Sequence, residues 1–360
     1  MPLLLRRLLL CLLIVAVALV ALVYSLTWHP APREEAPVAC VAEAPLLQPG
    51  QALKVMTWNV QYLAGKRYVF YYDLPDREGP DERPTPADIA YSLDEVVRVL
   101  RDEQPDLVFL QELDEGARAT DYQDQLALLR ERLADVYPCS TQAFYWKAAF
   151  VPQTHILGSV GMKLGTLSRV RIDSAERLQL PLAAGDLLHR PFERKPALLV
   201  SYLPVRDGGR LAAINTHLDP WTPGQDTAQR QLAMTRSLLD ELERDRTPWV
   251  LGGDFNQLPP GQYLRLDAVQ RSRFARDSAL EALATYPRVP AAEETDGAER
   301  ARWFTQFPND PRVSGPDRTV DYVFHSPRLT RIDARVRQLD TLRISDHLPL
   351  IARFLLPPVH

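Results

Sequence analysis

The sequence is poor in cysteine and in net charge. Lysine and arginine nearly balance aspartate and glutamate, and the formal charge of -4 gives the protein no overall attraction to nucleic acid or to anionic lipid. Only three of the 360 residues are cysteines, and Cys11 lies in an apolar N-terminal run, which leaves Cys40 and Cys139 for the rest of the chain. The sequence favours two separate buried thiols, and a Cys40–Cys139 disulfide in an oxidising compartment is the alternative.

The remaining composition is that of a folded protein. Hydrophobic residues make up 46% of the chain and charged residues 24%, as in ordinary globular domains. A length of 360 residues suffices for one large domain or two ordinary ones with a sizeable core. The 31 prolines favour a loop-rich fold of short elements over a helix bundle.

One long apolar run occupies the N-terminus. It extends over 17 residues from Leu8 to Tyr24 and follows Arg6 and Arg7. No clear small-x-small cleavage site comes after it before Trp28. These features predict an uncleaved signal anchor, and a cleaved signal peptide is the alternative.

The predicted anchor covers residues 1–27 and crosses the membrane with residues 8–26. The positive-inside rule then places the N-terminus in the cytosol and the rest of the chain outside the cytoplasm, on the periplasmic side in a bacterium. Residues 28–51, rich in Pro, Ala and Glu and without periodicity, predict a tether to a folded domain at 52–357.

Hydrophobic periodicity and turn signals predict a series of alternating elements in that domain. The predicted strands are 53–59, 106–110, 197–203, 210–214, 248–252, 319–324 and 350–355, with several short strands in 142–180 that turn at Gly158, Gly161 and Gly165. The predicted helices are 86–103, 121–133 and 226–242. A turn at 207–209 joins two of the strands into a hairpin.

A long loop at 65–85 contains a cluster of aromatic residues, Tyr68, Phe70, Tyr71 and Tyr72. Loops of this length are often functional. Packing of these rings over a sheet is the favoured interpretation, and a substrate-facing patch is the alternative.

The segment Thr247–Pro260, TPWVLGGDFNQLPP, shows a pattern that recurs along the chain. A short apolar strand turns on two glycines and presents Asp254 and Asn256. The same arrangement of an apolar strand with a polar residue at or just beyond its end recurs at Asn59, Glu112, His217, Asp321 and Asp346. If the strands lie side by side, these side chains converge at one rim of the sheets.

The residues at this predicted rim suit one kind of chemistry. The carboxylates and amides are hard oxygen ligands and no cysteine joins them, so the set favours Mg²⁺ or Mn²⁺ over zinc. His217 and His347 add groups that carry a proton near neutral pH. A hard metal, an acid–base group and amide donors are what the hydrolysis of a phosphoester requires.

Six short motifs, TWNV, QE, NTHL, GGDFN, TVDYVF and SDHLP, occur in this order across residues 53–351. Together they resemble the endonuclease/exonuclease/phosphatase superfamily, which includes deoxyribonuclease I and bacterial sphingomyelinases. The resemblance implies an α/β fold, a four-layer sandwich in which two packed mixed β-sheets are flanked by helices.

The resemblance also implies roles for the rim residues. Glu112 matches the main metal ligand of the superfamily, and Asn59 and Asp346 lie close to the same ion. Asp254 matches the base that activates water, and Asn256 matches a donor to the scissile phosphate.

Four further residues match positions that contact the phosphate or the leaving group. His347 would contact the phosphoryl oxygens with Asp321 orienting it, and His217 matches a histidine that assists the leaving group in some members. Arg194, in a segment similar to one of deoxyribonuclease I, is a candidate phosphate contact. The sequence departs from that relative at Tyr145–Ala148, where the acid that pairs with the histidine is absent.

The resulting prediction is a phosphodiesterase that acts outside the cytoplasm by in-line attack of activated water. Its substrate is a lipid head group, a nucleic acid or a small diester, and no protein partner is indicated. A DNA-directed endonuclease of the deoxyribonuclease I type is the alternative, since five arginines in 328–343 and the basic stretch 265–276 could form a local patch. A catalytically silent binding module is the third possibility.

Overall fold

The computed structural model describes residues 2–186, 188–206 and 208–358. Asp207, in the predicted hairpin turn, lies outside them. The α-helices are α1 Leu3–Leu26, α2 Pro86–Glu103, α3 Gln125–Arg132, α4 Thr227–Arg244, α5 Ala268–Arg271 and α6 Ala292–Asp296. The strands are β1 Arg33–Glu35, β2 Val38–Cys40, β3 Ala52–Asn59, β4 Leu107–Asp114, β5 Cys139–Val151, β6 Gly158–Ser168, β7 Ser174–Gln179, β8 Ala197–Pro204, β9 Arg210–His217, β10 Trp249–Asp254, β11 Arg288–Val289, β12 Asp321–His325, β13 Thr330–Val336 and β14 Leu350–Leu355.

Helix α2 has the bounds that its capping signals predict. The Thr85 side chain accepts a hydrogen bond from the Asp88 backbone N–H, and Pro86 takes the first helical position. Helix α3 begins four residues later than predicted. Asp121 has a left-handed backbone, and Asp124 caps the helix by accepting from the Ala127 N–H.

Several glycines that suggest turns lie inside strands. Gly161 belongs to β6, and a Cβ there would come 1.9 Å from the Glu115 carbonyl oxygen. Gly253 belongs to β10, where a Cβ would come 2.0 Å from the Thr216 carbonyl oxygen. Glycine is required at both positions because a neighbouring backbone approaches closely, and the predicted turns there are wrong.

The strands form two seven-stranded mixed sheets. One has the order β1-β7-β8-β9-β10-β12-β11, and the other has the order β13-β14-β3-β4-β6-β5-β2. A core that includes Val55 and Phe109 of the second sheet and Ala213 and Val250 of the first lies between them. Further cores pack α2 and α3 on the second sheet and α4 on the first, which confirms the predicted four-layer sandwich.

Segment 28–51 is docked on the domain and is not a free tether. Strand β1 pairs with β7 at the edge of one sheet, and β2 pairs with β5 at the edge of the other. Cys40 and Cys139 are register partners and form a disulfide, so the predicted separate thiols are wrong. Strands of three residues are too short to show periodicity, which explains why the sequence pattern resembles a linker.

Helix α1 contains the predicted apolar run and extends it at both ends. It spans 24 residues, has a mean hydropathy of 3.0 and is not buried against the domain. Its length and composition suit a membrane span and equally a signal sequence.

Candidate active site

Sheet register brings three of the predicted site residues into one line. Strands β9 and β10 are parallel, and their last residues, His217 and Asp254, lie side by side. Strand β12 is antiparallel to β10 and places Asp321 directly beside Asp254. Asp321 therefore begins its strand, whereas the sequence pattern predicts it at or just beyond the strand's end, and the reversed direction of β12 brings it to the same rim.

The second sheet adds a carboxylate and an amide from the opposite side. Asn59 ends β3, and its Nδ2 donates to Glu112 Oε1 and to Asp254 Oδ2, both at 3.1 Å. Glu112 lies where the β4–β6 pairing is irregular and has a φ of 56°. Such a bulge re-aims a side chain, here into the space between the two sheets. Asn59 thus links the rims of both sheets.

His347 and Asp321 form a buried pair. His347 Nδ1 lies 2.9 Å from Asp321 Oδ2, and His347 Nε2 lies 3.6 Å from Asp254 Oδ2. Trp58 fixes the His347 backbone by donating from Nε1 to its carbonyl oxygen at 2.9 Å. Burial opposes the imidazolium charge, but the carboxylates of Asp321, Asp254 and Asp346 outweigh burial and raise the pKa of His347 well above its usual value.

His217 has the opposite electrostatic character. Its Nε2 lies 3.1 Å from Asn256 Nδ2 and 3.4 Å from Asp254 Oδ2. Burial, with the nearby positive charges of Arg194 and His347, lowers the pKa of His217 well below its usual value. The two histidines of the site therefore differ in protonation at neutral pH.

The partner of His217 is a phenol and not a carboxylate. His217 Nδ1 lies 3.0 Å from the Tyr145 hydroxyl oxygen, and both groups are buried. Asn256 donates from Nδ2 to the Leu218 carbonyl oxygen at 2.9 Å, which orients the amide beside the imidazole. Tyr145 thus occupies the place of the acid that the sequence lacks.

Asp254 lies at the centre of these contacts. Its Oδ1 accepts from the Asn256 backbone N–H at 2.8 Å, and its Oδ2 accepts from Asn59. Burial raises the pKa of Asp254 to about 7; Asp321 adds to this effect and His347 opposes it. A carboxylate with such a pKa exchanges protons near neutral pH.

These residues line one cleft of about 540 Å³. Arg194 and Asp346 also line it, so the cleft brings together seven of the nine predicted site residues. Asn59 lies behind Glu112 and Asp254, and Asp321 lies behind His347. Tyr62, Tyr71, Tyr72 and Trp146 form aromatic walls. Both interpretations of the aromatic cluster in the loop at 65–85 apply. Phe70 packs in a buried core cluster, whereas Tyr71 and Tyr72 face the cleft.

Two of the three predicted metal ligands, Glu112 and Asp346, are carboxylates in the same cleft. Asn59 does not present its oxygen to them, because its Nδ2 donates to Glu112 and its Oδ1 accepts from the Gln61 backbone N–H. Burial, and then the like charge of Asp346, raises the pKa of Glu112, and a divalent cation between the two carboxylates would offset this cost of ionisation. Asp254, Asp321 and His347 also have ligand atoms within 4.8 Å of one another, but the Asp321–His347 contact is a hydrogen bond that occupies both groups.

The sequence analysis assigned no role to two residues that contact the histidines of the site. Tyr145 lies in the middle of the long strand β5, where alternation of buried residues indicates only packing. Gln306 places its side-chain amide 3.1 Å from His347 Nε2 and follows no strand. The missing acid at Tyr145–Ala148 is the signal that could have pointed to Tyr145, whereas Gln306 carries no local signal.

The fold and the site define a class of protein, a four-layer α/β sandwich with carboxylates, amides and two histidines at one rim. The sequence profile of the endonuclease/exonuclease/phosphatase family matches residues 56–347, and the chain belongs to that family. Enzymes of this family are hydrolases of phosphoesters that use divalent metal ions.

The individual relatives share only part of their sequence with this chain. A UPF0294 protein of Yersinia pseudotuberculosis is 30% identical over 168 residues, which cover 45% of this chain and 52% of that protein. The chain thus spans about half the length of the curated relatives it matches.

Solved structures share the fold at low identity. An endonuclease/exonuclease/phosphatase from Beutenbergia cavernae has a TM-score of 0.55 and 23% identity, and the similarity covers 85% of this chain and 72% of that one. The human Nocturnin catalytic domain with a bound sulfate anion has a TM-score of 0.51 and 18% identity, with coverage of 89% and 97%.

Proposed function

We propose that the chain is a metal-dependent phosphodiesterase that acts outside the cytoplasm. The observation that carries the proposal is the position of Asp254. One carboxylate oxygen accepts from Asn59 of the opposite sheet and lies within 3.6 Å of both His217 and His347. A buried base between a cationic and a neutral histidine, beside two further carboxylates, suits attack by water on a phosphodiester.

The residues support an in-line displacement. Asp254 takes a proton from the attacking water, whose oxygen forms a bond to phosphorus as the bond to the leaving oxygen breaks. The leaving oxygen takes a proton from solvent water, Asp254 returns its own proton to solvent, and the products are a phosphomonoester and an alcohol. The cationic His347 and the guanidinium of Arg194 contact the phosphoryl oxygens and stabilise the charge that develops there. Asn256 does not join them, because its Nδ2 donates to His217 Nε2 and to the Leu218 carbonyl oxygen, and it holds Asp254 through its backbone N–H instead.

Asp321 and His217 act by positioning other side chains of the site. Asp321 holds the His347 ring through Nδ1 and favours its charged form. The lowered pKa of His217 leaves it without a proton to donate from Nε2, so we assign it the orientation of Asn256 and not the role of general acid.

Glu112 and Asp346 would hold Mg²⁺ or Mn²⁺, and Asn59 would orient Glu112 through its Nδ2 and not act as a ligand. Such an ion supplies Lewis-acid stabilisation of the phosphoryl oxygens when it is bound. The carboxylates of Glu112 and Asp346 remain available for this purpose, since neither forms a salt bridge with Lys or Arg among the described residues.

A location outside the cytoplasm is supported by the N-terminal half of the chain. Helix α1 has the length of a span, and two arginines precede its apolar stretch. The Cys40–Cys139 disulfide is typical of an oxidising compartment.

The basic stretches give little support to a DNA-directed nuclease. Within 328–343, Arg328, Arg331, Arg335 and Arg337 all pair with carboxylates of neighbouring elements. Within 265–276, Arg265 pairs with Asp296 and Arg273 donates to the Tyr72 and Asp73 carbonyl oxygens, while Arg271 and Arg276 form no salt bridge among the described residues. Charges that are already paired offer less attraction to a phosphate backbone, so a small or lipid diester fits the surface better.

The test is turnover by the full chain of three substrates with Mn²⁺ or Mg²⁺: bis(p-nitrophenyl) phosphate, a choline phospholipid and supercoiled plasmid. We expect the first to be hydrolysed and the plasmid to remain supercoiled, with Asp254→Ala and a chelator each abolishing the reaction. Plasmid nicking that Asp254→Ala removes would favour the nuclease. An absence of turnover across all three substrates would favour the binding module.

A further inference from the structure

Among the described residues, the end of helix α1 is joined to strand β5, which forms part of the cleft wall. Thr27, directly after the helix, forms an antiparallel bridge with Ala148 in strand β5. Trp146, two residues away on that strand, lines the cleft. Two residues of a strand span about 7 Å, so the exit of the helix and the catalytic cleft are neighbours.

The junction between helix and domain is packed and not a free hinge. The Trp28 ring lies 4.8 Å from the Arg177 guanidinium and packs edge-on against Phe144. Arg177 is only 1% exposed and donates to the Phe144 and Lys195 carbonyl oxygens. The disulfide at Cys40 closes the far end of the docked segment.

Chain direction decides which part of the domain faces the membrane. From Thr27 to Cys40 the chain runs away from the helix, and it is antiparallel to β5 at both ends, through the Thr27–Ala148 bridge and the Cys40–Cys139 pair. Strand β5 therefore runs back towards the helix. Beyond Ala148 it continues in that direction into the turn that joins β5 to β6.

The last residues of β5 and the turn that follows them, residues 149–157, are called the hairpin tip below. Four residues beyond Ala148 extend about 13 Å, which exceeds the interfacial layer of about 5–8 Å on each side of a bilayer. Phe150 is 39% exposed and Leu157 is 51% exposed, and no carboxylate occurs in 149–157. Lys147 precedes the tip and is exposed. An apolar, non-acidic tip at this depth suits a lipid surface.

The hairpin tip also borders the cleft. Thr154, His155 and Leu157 line it, and the His155 ring stacks on Tyr71 with a centroid distance of 4.3 Å. Arg118 holds the tip by donating from Nη1 to the Ile156 and Leu157 carbonyl oxygens, both at 3.0 Å. The mouth of the cleft therefore opens at the level of the tip.

We infer that the hairpin tip lies in the head-group layer of the membrane that holds α1, and that the cleft takes phosphodiester head groups of lipids in that same membrane. The inference rests on the proposed phosphodiesterase function and names its substrate class. Water attacks the phosphorus of the head group as described above, and the head-group phosphodiester is replaced by a monoester and an alcohol.

Two measurements on the full chain in vesicles of phosphatidylcholine, phosphatidylethanolamine and phosphatidylglycerol test this inference. The first places an environment-sensitive fluorophore at Phe150→Cys in a Cys11→Ser background, with Leu339→Cys as the matched control. Leu339 is 95% exposed and lies outside the cleft. We expect nitroxide-labelled lipids to quench the probe at position 150 and not the probe at position 339.

The second measurement compares Phe150→Glu and Leu339→Glu with wild type. We expect Phe150→Glu to slow lipid hydrolysis at least about tenfold, because the apolar contact with the membrane is lost. Hydrolysis of bis(p-nitrophenyl) phosphate in the same vesicles should stay within about twofold, as should both activities of Leu339→Glu. Using one vesicle preparation for both substrates cancels differences in protein orientation.

The outcomes separate the two claims. Equal quenching at positions 150 and 339 overturns the inference, and so does equal lipid hydrolysis by Phe150→Glu and wild type. Hydrolysis of the soluble diester without any lipid hydrolysis overturns it while the phosphodiesterase function stands. An absence of hydrolysis of the soluble diester overturns the function itself, and the lipid substrate with it.

Discussion

Asp321 Oδ2 accepts a 2.9 Å hydrogen bond from His347 Nδ1, and the two side chains are 1% and 4% exposed. Pairs buried to this extent depend on each other, because removal of one partner leaves the other with an unbalanced charge or an unsatisfied group. The pair lies directly beside Asp254. Loss of the Asp321–His347 hydrogen bond should therefore lower the rate of hydrolysis as well as the stability of the fold.

We predict that Asp321→Asn lowers kcat about 100-fold and changes KM much less, because the imidazole loses both its orientation and its charge. Steady-state hydrolysis of bis(p-nitrophenyl) phosphate measures this effect. Asp310→Asn is a matched control, since Asp310 is also a buried, hydrogen-bonded carboxylate but pairs with Arg312 outside the cleft. A similar loss of kcat in both variants would mean that the Asp321 effect is general destabilisation.

Removal of a metal ligand should change metal binding as well as turnover. We predict that Glu112→Gln raises the Mn²⁺ concentration for half-maximal activity by about 10- to 100-fold. Thermal unfolding gives a second readout, in which Mn²⁺ raises the Tm of wild type but not of Glu112→Gln.

The matched control for the metal experiment is Glu115→Gln. Glu115 follows the same strand, but its carboxylate contacts the Lys163 ammonium at 2.6 Å. This variant should keep the Mn²⁺ response. Full activity of wild type after exhaustive chelation would contradict a metal requirement.

An ionic cluster on the far side of the second sheet predicts acid sensitivity. Glu103 contacts Lys54, Arg335 and Arg337, and its side chain is 6% exposed. Burial opposes ionisation, but hydrogen bonds from Lys54 and Arg335 outweigh it and lower the pKa of Glu103. A carboxyl whose pKa is lower in the folded state stabilises the fold above its unfolded pKa of about 4.3, and this contribution is lost as the pH falls through the folded pKa.

We therefore predict that Glu103→Gln lowers the Tm by about 5 °C at neutral pH, equivalent to about 2 kcal/mol. The difference from wild type should shrink as the pH falls below about 4. Thermal unfolding of the full chain in mild detergent across this range measures it. A constant difference at all pH values would show that the ionisation of Glu103 is not the cause.

The disulfide gives a chemical prediction. Alkylation of the unfolded but unreduced chain should add one group, at Cys11, and alkylation after reduction should add three. Cys40→Ser with Cys139→Ser should lower stability by about 2–5 kcal/mol, since the bond closes a loop of 99 residues. Mass spectrometry and unfolding curves test the two parts. Three adducts without reduction would show that the thiols are free.

Much of this site could be predicted because strand ends carry local signals. An apolar run followed by a polar residue locates Asn59, His217 and Asp254 without knowledge of the sheet order. Asp321 was placed at the wrong end of its strand, because the direction of β12 is set by pairing and not by its sequence.

Other features depend on contacts distant in sequence. Tyr145 is separated from its partner His217 by 72 positions, and Gln306 is separated from His347 by 41. The short strand β2 forms only because the edge of β5 is available, so its residues alone resemble a linker. The register that aligns these groups is a property of the whole fold.

The most direct test of the central claim is the rate of Asp254→Ala. The full chain hydrolyses bis(p-nitrophenyl) phosphate with Mn²⁺, and the variant is compared at the same metal concentration, with circular dichroism confirming that it is folded. A base that takes the proton of water predicts a loss of about 10³-fold. A folded Asp254→Ala protein that keeps the wild-type rate would contradict the role of Asp254, and with it the proposed function.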